Sequence, residues 1–337
     1  MAARGGAAVN ARLAIALAVS MILQQRPAFR SGVDLVSVDV SVTHGTTPVK
    51  GLKAENFQLT DNGIPQDVES VSLDSRPISV MLVLDTSDSV AGDELAHLID
   101  AGRQVVRALR PDDRAALITF SEQVMVNVPL TSDLASLDRA LSGLKGLGAT
   151  SMNDAIHVAM NLRPTDTSRP LILVFSDGAD NLSWSSGASL VDEAKHAGVV
   201  IHAIALGREQ SAGLRLMNPA AQMNGVFSGD AGLLAGGAGR PTSPALLAQG
   251  FVNGTPVLQA LTLAVGGRVW SAKSSGDLKG LFTHTLEEMR ARYLLTYTPK
   301  GAPQEGWHTL NVTLKNARGE ITARPGYFIA AKTPARH

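Results

Sequence analysis

The chain has no cysteine. That excludes a disulfide framework, a thiolate zinc site, an iron-sulfur cluster, a cysteine nucleophile and a lipid-modified cysteine, so any metal must be held by oxygen or histidine nitrogen. Net charge is also absent, with 30 basic residues against 30 acidic ones. A polyanion-binding surface needs clustered Lys and Arg to displace counterions from phosphates, and nucleic acid is therefore not an expected partner. Beyond the N-terminus there is no apolar run long enough to span a bilayer, which takes about 20 residues. What remains is 337 residues that are 45% hydrophobic, enough for about two domains with ordinary cores.

The first thirty residues have the layout of a targeting segment. Arg4 and Arg12 precede the apolar run Leu13 to Leu23, and Gln24, Gln25 and Arg26 follow it. Residues 1–30 read as a signal peptide, or as an uncleaved anchor that extends back through Ala7. No small-x-small pair marks a cleavage point just after Leu23. The body is expected to be exported, to the periplasm, the cell envelope or the exterior, and to touch a membrane only if this segment is retained.

From Val36 to Val42 a valine stands at every second residue, the period of a strand with one buried face. Phe57 to Thr60 and Ile64 to Leu73 read as strands joined through Asp61, Asn62 and Gly63, with Pro65 placing the return strand at an edge. At Ile78 the pattern changes. Val80 to Leu84, Leu171 to Phe175 and Val199 to Leu206 are nearly continuous apolar runs, as in strands covered on both faces. Between them lie helical stripes: Leu95 to Leu109, Leu134 to Leu144, and Ala155 to Leu162. Val124 to Val128 reads as the hairpin partner of Ala115 to Phe120. Helices are also expected before Gly266 and from Leu278 to Met289, with a short strand at 268–270. Tyr293 to Tyr297, His308 to Lys315 and Ile321 to Phe328 return to strand.

These readings predict an α/β fold with a doubly wound, mostly parallel sheet, plus a small antiparallel β-sandwich-like domain built from both chain ends. The expected boundaries are 31–76 for the N-terminal part of the β domain, 77–291 for the α/β domain and 292–330 for the C-terminal part. Within the α/β domain, 207–254 is rich in Gly and Ala without periodicity and reads as a long flexible insertion.

Two buried strands end in polar residues suited to chemistry. Val80 to Leu84 runs into Asp85-Thr86-Ser87-Asp88-Ser89, and Leu171 to Phe175 runs into Ser176-Asp177-Gly178. Ligands of open parallel sheets bind outside the carboxyl ends of the strands, where Asp85 and Asp177 converge if their strands are neighbours. Ser87 and Ser89 add hydroxyls on alternate residues, and Thr150 adds another from the loop before a helix. Such hard oxygen donors, too few and too neutral to enclose calcium, suit Mg²⁺ or Mn²⁺. Singly, each of these residues is as well explained by helix capping.

Taken together, Asp85-x-Ser87-x-Ser89, Thr150 and Asp177 make the chain resemble a von Willebrand factor type A domain with its metal-ion-dependent adhesion site. The resemblance covers about Ile78 to Arg290. It implies that Asp85, Ser87, Ser89, Thr150 and Asp177 surround one divalent cation, and that the central sheet is parallel except for one strand. The flanks, with Val49-Lys50-Gly51-Leu52, Asp61-Asn62-Gly63-Ile64-Pro65-Gln66 and Arg324-Pro325-Gly326-Tyr327, are similar to the VWFA-related acidobacterial domain family of exported bacterial proteins.

Other chemistries lack their starting residues. A haloacid-dehalogenase-type phosphatase needs a second Asp where Ser87 stands, and the chain has neither a Gly-x-Ser-x-Gly elbow nor a His-Glu-x-x-His helix. Gly146-Leu147-Gly148 lacks the third glycine of a dinucleotide loop. His157 and His202 lie within apolar patterns and read as packed or solvated histidines. The sequence thus points to a metal-dependent protein-binding module for adhesion or assembly, in which an Asp or Glu of the partner completes the coordination. The alternative is a hydrolase using the same cation to activate water. Asp88, the one further acid of the first motif, alternates away from Ser87 and Ser89, which favours binding.

Overall fold

The computed structural model describes residues 35–176, 180–206, 256–302 and 305–330. The expected targeting segment at 1–30 and insertion at 207–254 lie outside the described residues, as does Asp177.

Strand β1 (Val36–His44) buries Val36, Val38, Val40 and Val42 on one face, as their spacing predicts. The short β2 (Thr47–Pro48) folds back onto it. β3 (Phe57–Asp61) and β4 (Ile64–Gln66) form a hairpin whose two turn residues, Asn62 and Gly63, have φ of 49° and 80°. Positive φ at both positions matches the right-handed twist of the paired strands. β5 (Ser70–Leu73) follows.

The α/β body comprises β6 (Ile78–Asp85), α1 (Asp93–Ala108), β7 (Arg114–Phe120), β8 (Val124–Thr131), α2 (Leu134–Ser142), α3 (Met152–Asn161), β9 (Arg169–Ser176), α4 (Gly187–Ala197), β10 (Val200–Leu206), α5 (Pro256–Ala264), β11 (Val269–Ala272) and α6 (Leu278–Arg290). Its sheet runs β11-β10-β9-β6-β7-β8, and every pairing is parallel except β7 with β8. All of β6 is buried, because side chains alternate between two cores. Val80, Leu82 and Leu84 meet residues of α1, α2 and α6, whereas Met81 and Val83 meet residues of α3, α4 and α5.

The chain then returns through β12 (Tyr293–Tyr297), β13 (Gly306–Leu314), β14 (Glu320–Ala323) and β15 (Gly326–Ile329). Strands from the two ends pair antiparallel: one sheet runs β14-β1-β12-β5 and the other β15-β13-β3-β4. Val38, Val40, Tyr293, Leu295, Leu59 and Val312 meet in one core between them.

Three expectations need correction. Ile64 to Leu73 is not one strand, since β4 belongs to one sheet and β5 to the other. The crossing follows Pro65, and Gln66 anchors it by accepting from the Lys300 N–H (2.8 Å) and donating to the Lys300 carbonyl (3.0 Å). Ile321 to Phe328 divides likewise at Pro325 into β14 and β15, because proline cannot donate to a ladder. Helix α4, opened by serines and apolar only through Leu190, Val191 and small alanines, has no counterpart in the sequence reading.

The polar face of β1 forms the seam between the two parts. Asp39 accepts from Arg169 Nη2 at 3.0 Å and from Arg292 Nε, and both arginines are buried. Arg292 also donates to the Gly266 carbonyl at 2.8 Å.

Candidate metal centre

β6 and β9 are neighbours, with Leu84 opposite Phe175, so Asp85 and Ser176 stand side by side at the carboxyl end of the sheet. Asp85 is fully buried there. Its Oδ1 accepts from the Ser87 N–H (2.9 Å) and the Ser87 hydroxyl (2.6 Å), and its Oδ2 accepts from the Ser176 hydroxyl (2.9 Å). Ser87 Oγ lies 2.9 Å from Ser89 Oγ. A carboxylate and two hydroxyls, spaced on alternate residues, therefore form one contiguous oxygen surface.

The loop bearing Thr150 is tied to this surface by its backbone. The Leu147 N–H donates to the Thr86 carbonyl (2.8 Å), and the Asp88 N–H donates to the Gly148 carbonyl (3.0 Å). Gly148 has φ of 87°, a conformation L side chains rarely adopt, and a Cβ there would come within 2.7 Å of Glu122 Cγ. The Ser151 hydroxyl donates to the Ser121 carbonyl (2.7 Å), which fastens the same loop to the β7–β8 turn.

Ser87 stands at the N-cap of a single 3-10 turn over Asp88–Val90, but its side chain makes no capping hydrogen bond, the role that would have explained it singly. Gly92 stands at the N-cap of α1 and Ser151 at that of α3, and neither supplies a capping hydrogen bond. The N-terminus of α3 is instead satisfied from a distance, as the Asn153 N–H donates to Asp180 Oδ2 (2.7 Å) and the Asp154 N–H donates to Ser183 Oγ (3.1 Å).

The segment after β9 grips Thr150 as well. The Thr150 N–H donates to Asn181 Oδ1 (3.0 Å), and the Thr150 carbonyl accepts from the N–H groups of Asn181 and Leu182 (3.1 Å each). Asp154 accepts from the Trp184 N–H (3.0 Å) and the Ser185 N–H (2.9 Å). Burial would raise the Asp154 carboxyl, but these two N–H donors, the Ser185 hydroxyl and the nearby His157 together outweigh it and hold it below its ordinary value. Asp154, Asp180, Asn181 and Ser183 are the residues that sequence reasoning missed. The only signal for them was the Asp180-Asn181 pair shortly after a strand end, which is ordinary turn composition.

Asp85, Ser87 and Ser89 are thus in contact, and the Thr150 loop is docked beside them. Asp177 lies outside the described residues. The donor chemistry fits Mg²⁺ or Mn²⁺, since every side chain in the set offers a hard oxygen and the set is small enough for the ion to keep water. The Ser87 hydroxyl can turn its proton away and offer a lone pair. Among the described residues no group of three or more His, Asp or Glu is placed to hold a metal. A cleft of about 530 Å³ adjoins the surface, lined by Thr86, Asp88, Ser121, Glu122 and Lys145.

Residues 80–179 match the family model of the von Willebrand factor type A domain. Matrilin-3 of Gallus gallus is 27% identical over 158 residues, which are 42% of this chain and 34% of that protein. Inter-alpha-trypsin inhibitor heavy chain H4 of Homo sapiens is 26% identical over 138 residues, 37% of this chain and 15% of that protein. The matched part is therefore 34% of the one curated relative's length and 15% of the other's. A solved structure of a von Willebrand factor type A protein from Catenulispora acidiphila covers 85% of this chain and 76% of its own, at 12% identity and a TM-score of 0.45.

Proposed function

We propose that the von Willebrand factor type A domain carried by this chain is the working part of an exported protein-binding module, and that it holds one Mg²⁺ or Mn²⁺ through Asp85, Ser87, Ser89, Thr150 and Asp177. The observation that carries this reading is the contact of Asp85, Ser87 and Ser89 at a strand end, with the Thr150 loop hydrogen-bonded across it.

When bound, the cation supplies an electrophilic point that a partner's Asp or Glu can ligate. The chain's own residues set its strength. Asp85 and Asp177 bring two negative charges while Ser87, Ser89 and Thr150 bring none, so the donors do not overcompensate a divalent ion. Burial of Asp85, Ser87 and Thr150 keeps bulk water from screening that contact, where charge-assisted bonds are worth more than in solution. The open carboxyl end of the sheet leaves the site within reach of a protein surface.

The same cation could instead serve hydrolysis, and one experiment separates the two. The purified chain and its Asp85→Ala variant are assayed for metal-dependent partner capture and for turnover of generic phosphate and ester substrates. Capture lost on EDTA treatment and in the variant, with no turnover by either, is the expected result. Metal-dependent turnover that disappears in Asp85→Ala would replace the binding reading with the hydrolase.

A further inference from the structure

Three exposed apolar side chains stand on the loops beside the candidate metal centre. Trp184 is 99% exposed, Leu147 68% and Leu182 47%. Isolated surface apolar groups are ordinary, but these stand on the loops that converge at Thr150. Leu147 precedes it by three residues and is held by the Thr86 carbonyl, and the Leu182 N–H donates to the carbonyl of Thr150 itself.

Trp184 is exposed on a braced backbone. Its N–H and that of Ser185 donate to Asp154. One residue earlier, the Ser183 N–H donates to Asp180 Oδ1 (3.1 Å) and its hydroxyl to Asp180 Oδ2 (2.8 Å). An indole presented to solvent on a fixed loop has already lost most of the backbone freedom that binding would otherwise cost. Trp is also the side chain most enriched among interface residues whose truncation weakens binding strongly.

We infer that the partner's metal-directed carboxylate is flanked by an apolar side chain, which seats against the exposed Trp184 and Leu182. This rests on the metal-dependent reading above and narrows it to one occupant, a protein segment with an Asp or Glu beside a large apolar residue. The carboxylate is dictated by the cation, and the neighbour by the exposed indole and leucine on the loop hydrogen-bonded to Thr150. A purely acidic segment would leave the indole uncovered and desolvate its extra charges without a counterpart.

The test uses a random dodecapeptide display library, selected on the immobilised full chain in Mg²⁺ and eluted with EDTA. Recovered peptides are expected to carry Asp or Glu with Leu, Phe or Trp within three residues. A synthetic winner should bind Trp184→Ala at least about tenfold more weakly while the variant's Mg²⁺ affinity is unchanged. EDTA-eluted peptides with an acid but random neighbours, or a winner that binds Trp184→Ala as well as the parent, would overturn the rim inference and leave the metal reading standing. If no peptide is released by EDTA, the metal-dependent reading falls and takes the rim inference with it. In a parallel arm, Mg²⁺-independent binding to phosphatidylglycerol vesicles that Trp184→Ala abolishes would assign the indole to a membrane and also overturn the inference.

Discussion

Thr150 and Asn181 hold one another through both ends of the Thr150 residue: the Thr150 N–H donates to Asn181 Oδ1, and the Asn181 N–H returns a bond to the Thr150 carbonyl. The Thr150 side chain takes no part in these bonds. The geometry of the loop is thus set by backbone, and the hydroxyl is left to other use. Removing the Asn181 acceptor should weaken Mg²⁺ binding without deleting a ligand. For Asn181→Ala the expected loss is about 1 kcal/mol, or about fivefold in affinity, and Asn181→Asp, which keeps an acceptor, should recover most of it. Isothermal calorimetry beside a thermal melt reads both quantities. Parent-like affinity in Asn181→Ala would show that the clasp does not position the site.

Gly148 offers a test of the loop itself. Alanine there must adopt φ of 87° and also displace Glu122, whose Cγ would lie 2.7 Å from the new Cβ. The backbone part should cost about 1–2 kcal/mol. Urea unfolding of Gly148→Ala, alone and combined with Glu122→Ala, separates the two effects: the second substitution should relieve the contact but not the backbone strain. Full restoration by Glu122→Ala would contradict this division.

Asp39 is the counter-charge at the domain seam. Burial would raise its carboxyl, but Arg292 and Arg169 outweigh burial and hold it below its ordinary value of 3.8. Its contribution is therefore complete above that value and is lost as pH falls through the lower folded one. Asp39→Asn should destabilise by about 1–3 kcal/mol, less than for a buried charge left wholly unpaired, because Arg169 keeps Asp74 at 3.0 Å and Arg292 keeps Glu288 at 3.6 Å. The variant's stability should also change less than the parent's below about pH 4. Chemical denaturation across pH measures both, and an unchanged midpoint would remove Asp39 from the seam.

His202 works in the opposite pH direction from a surface histidine. It is fully buried with neither ring nitrogen hydrogen-bonded. Desolvation lowers its pKa to about 4, with Glu288 opposing and Arg292, Arg268 and His284 reinforcing the shift. The unfolded chain therefore binds a proton near pH 6.5 that the folded chain refuses until about pH 4. Stability should fall across that window by roughly 3 kcal/mol as pH drops. His202→Leu should flatten this slope, and an undiminished slope in the variant would assign it to other groups.

The parts of the fold that could be read in sequence are those in which one residue pattern has one physical meaning. Continuous apolar runs such as Val80 to Leu84 have no stable place except between two layers, and alternation from Val36 to Val42 marks a strand with one apolar face, although Ser41 and Thr43 on its other face are buried as well. Where a single run serves two sheets, as around Pro65 and Pro325, strand-like spacing resumes within a few residues, and Gln66-Asp67 or Pro325-Gly326 does not by itself tell a change of sheet from a kink within one strand. Alternation correctly put Asp39 opposite the valines, but periodicity cannot say whether the polar face of a strand meets water or two arginines. The same limit applies at the metal centre. Asp85, Ser87 and Ser89 are neighbours in sequence and could be seen together, whereas the clasp from Asp154, Asp180 and Asn181 depends on a helix start and a distant loop meeting in space.

Direct titration of Mg²⁺ into the full chain and into Asp85→Ala, followed by calorimetry at neutral pH, tests the central claim. Asp85 brings charge to the oxygen surface and organises Ser87 through Oδ1, so its removal takes away a ligand and an organiser together. The account predicts one equivalent of Mg²⁺ bound by the parent and none by a folded Asp85→Ala. Binding of the same stoichiometry and affinity by both proteins would contradict it.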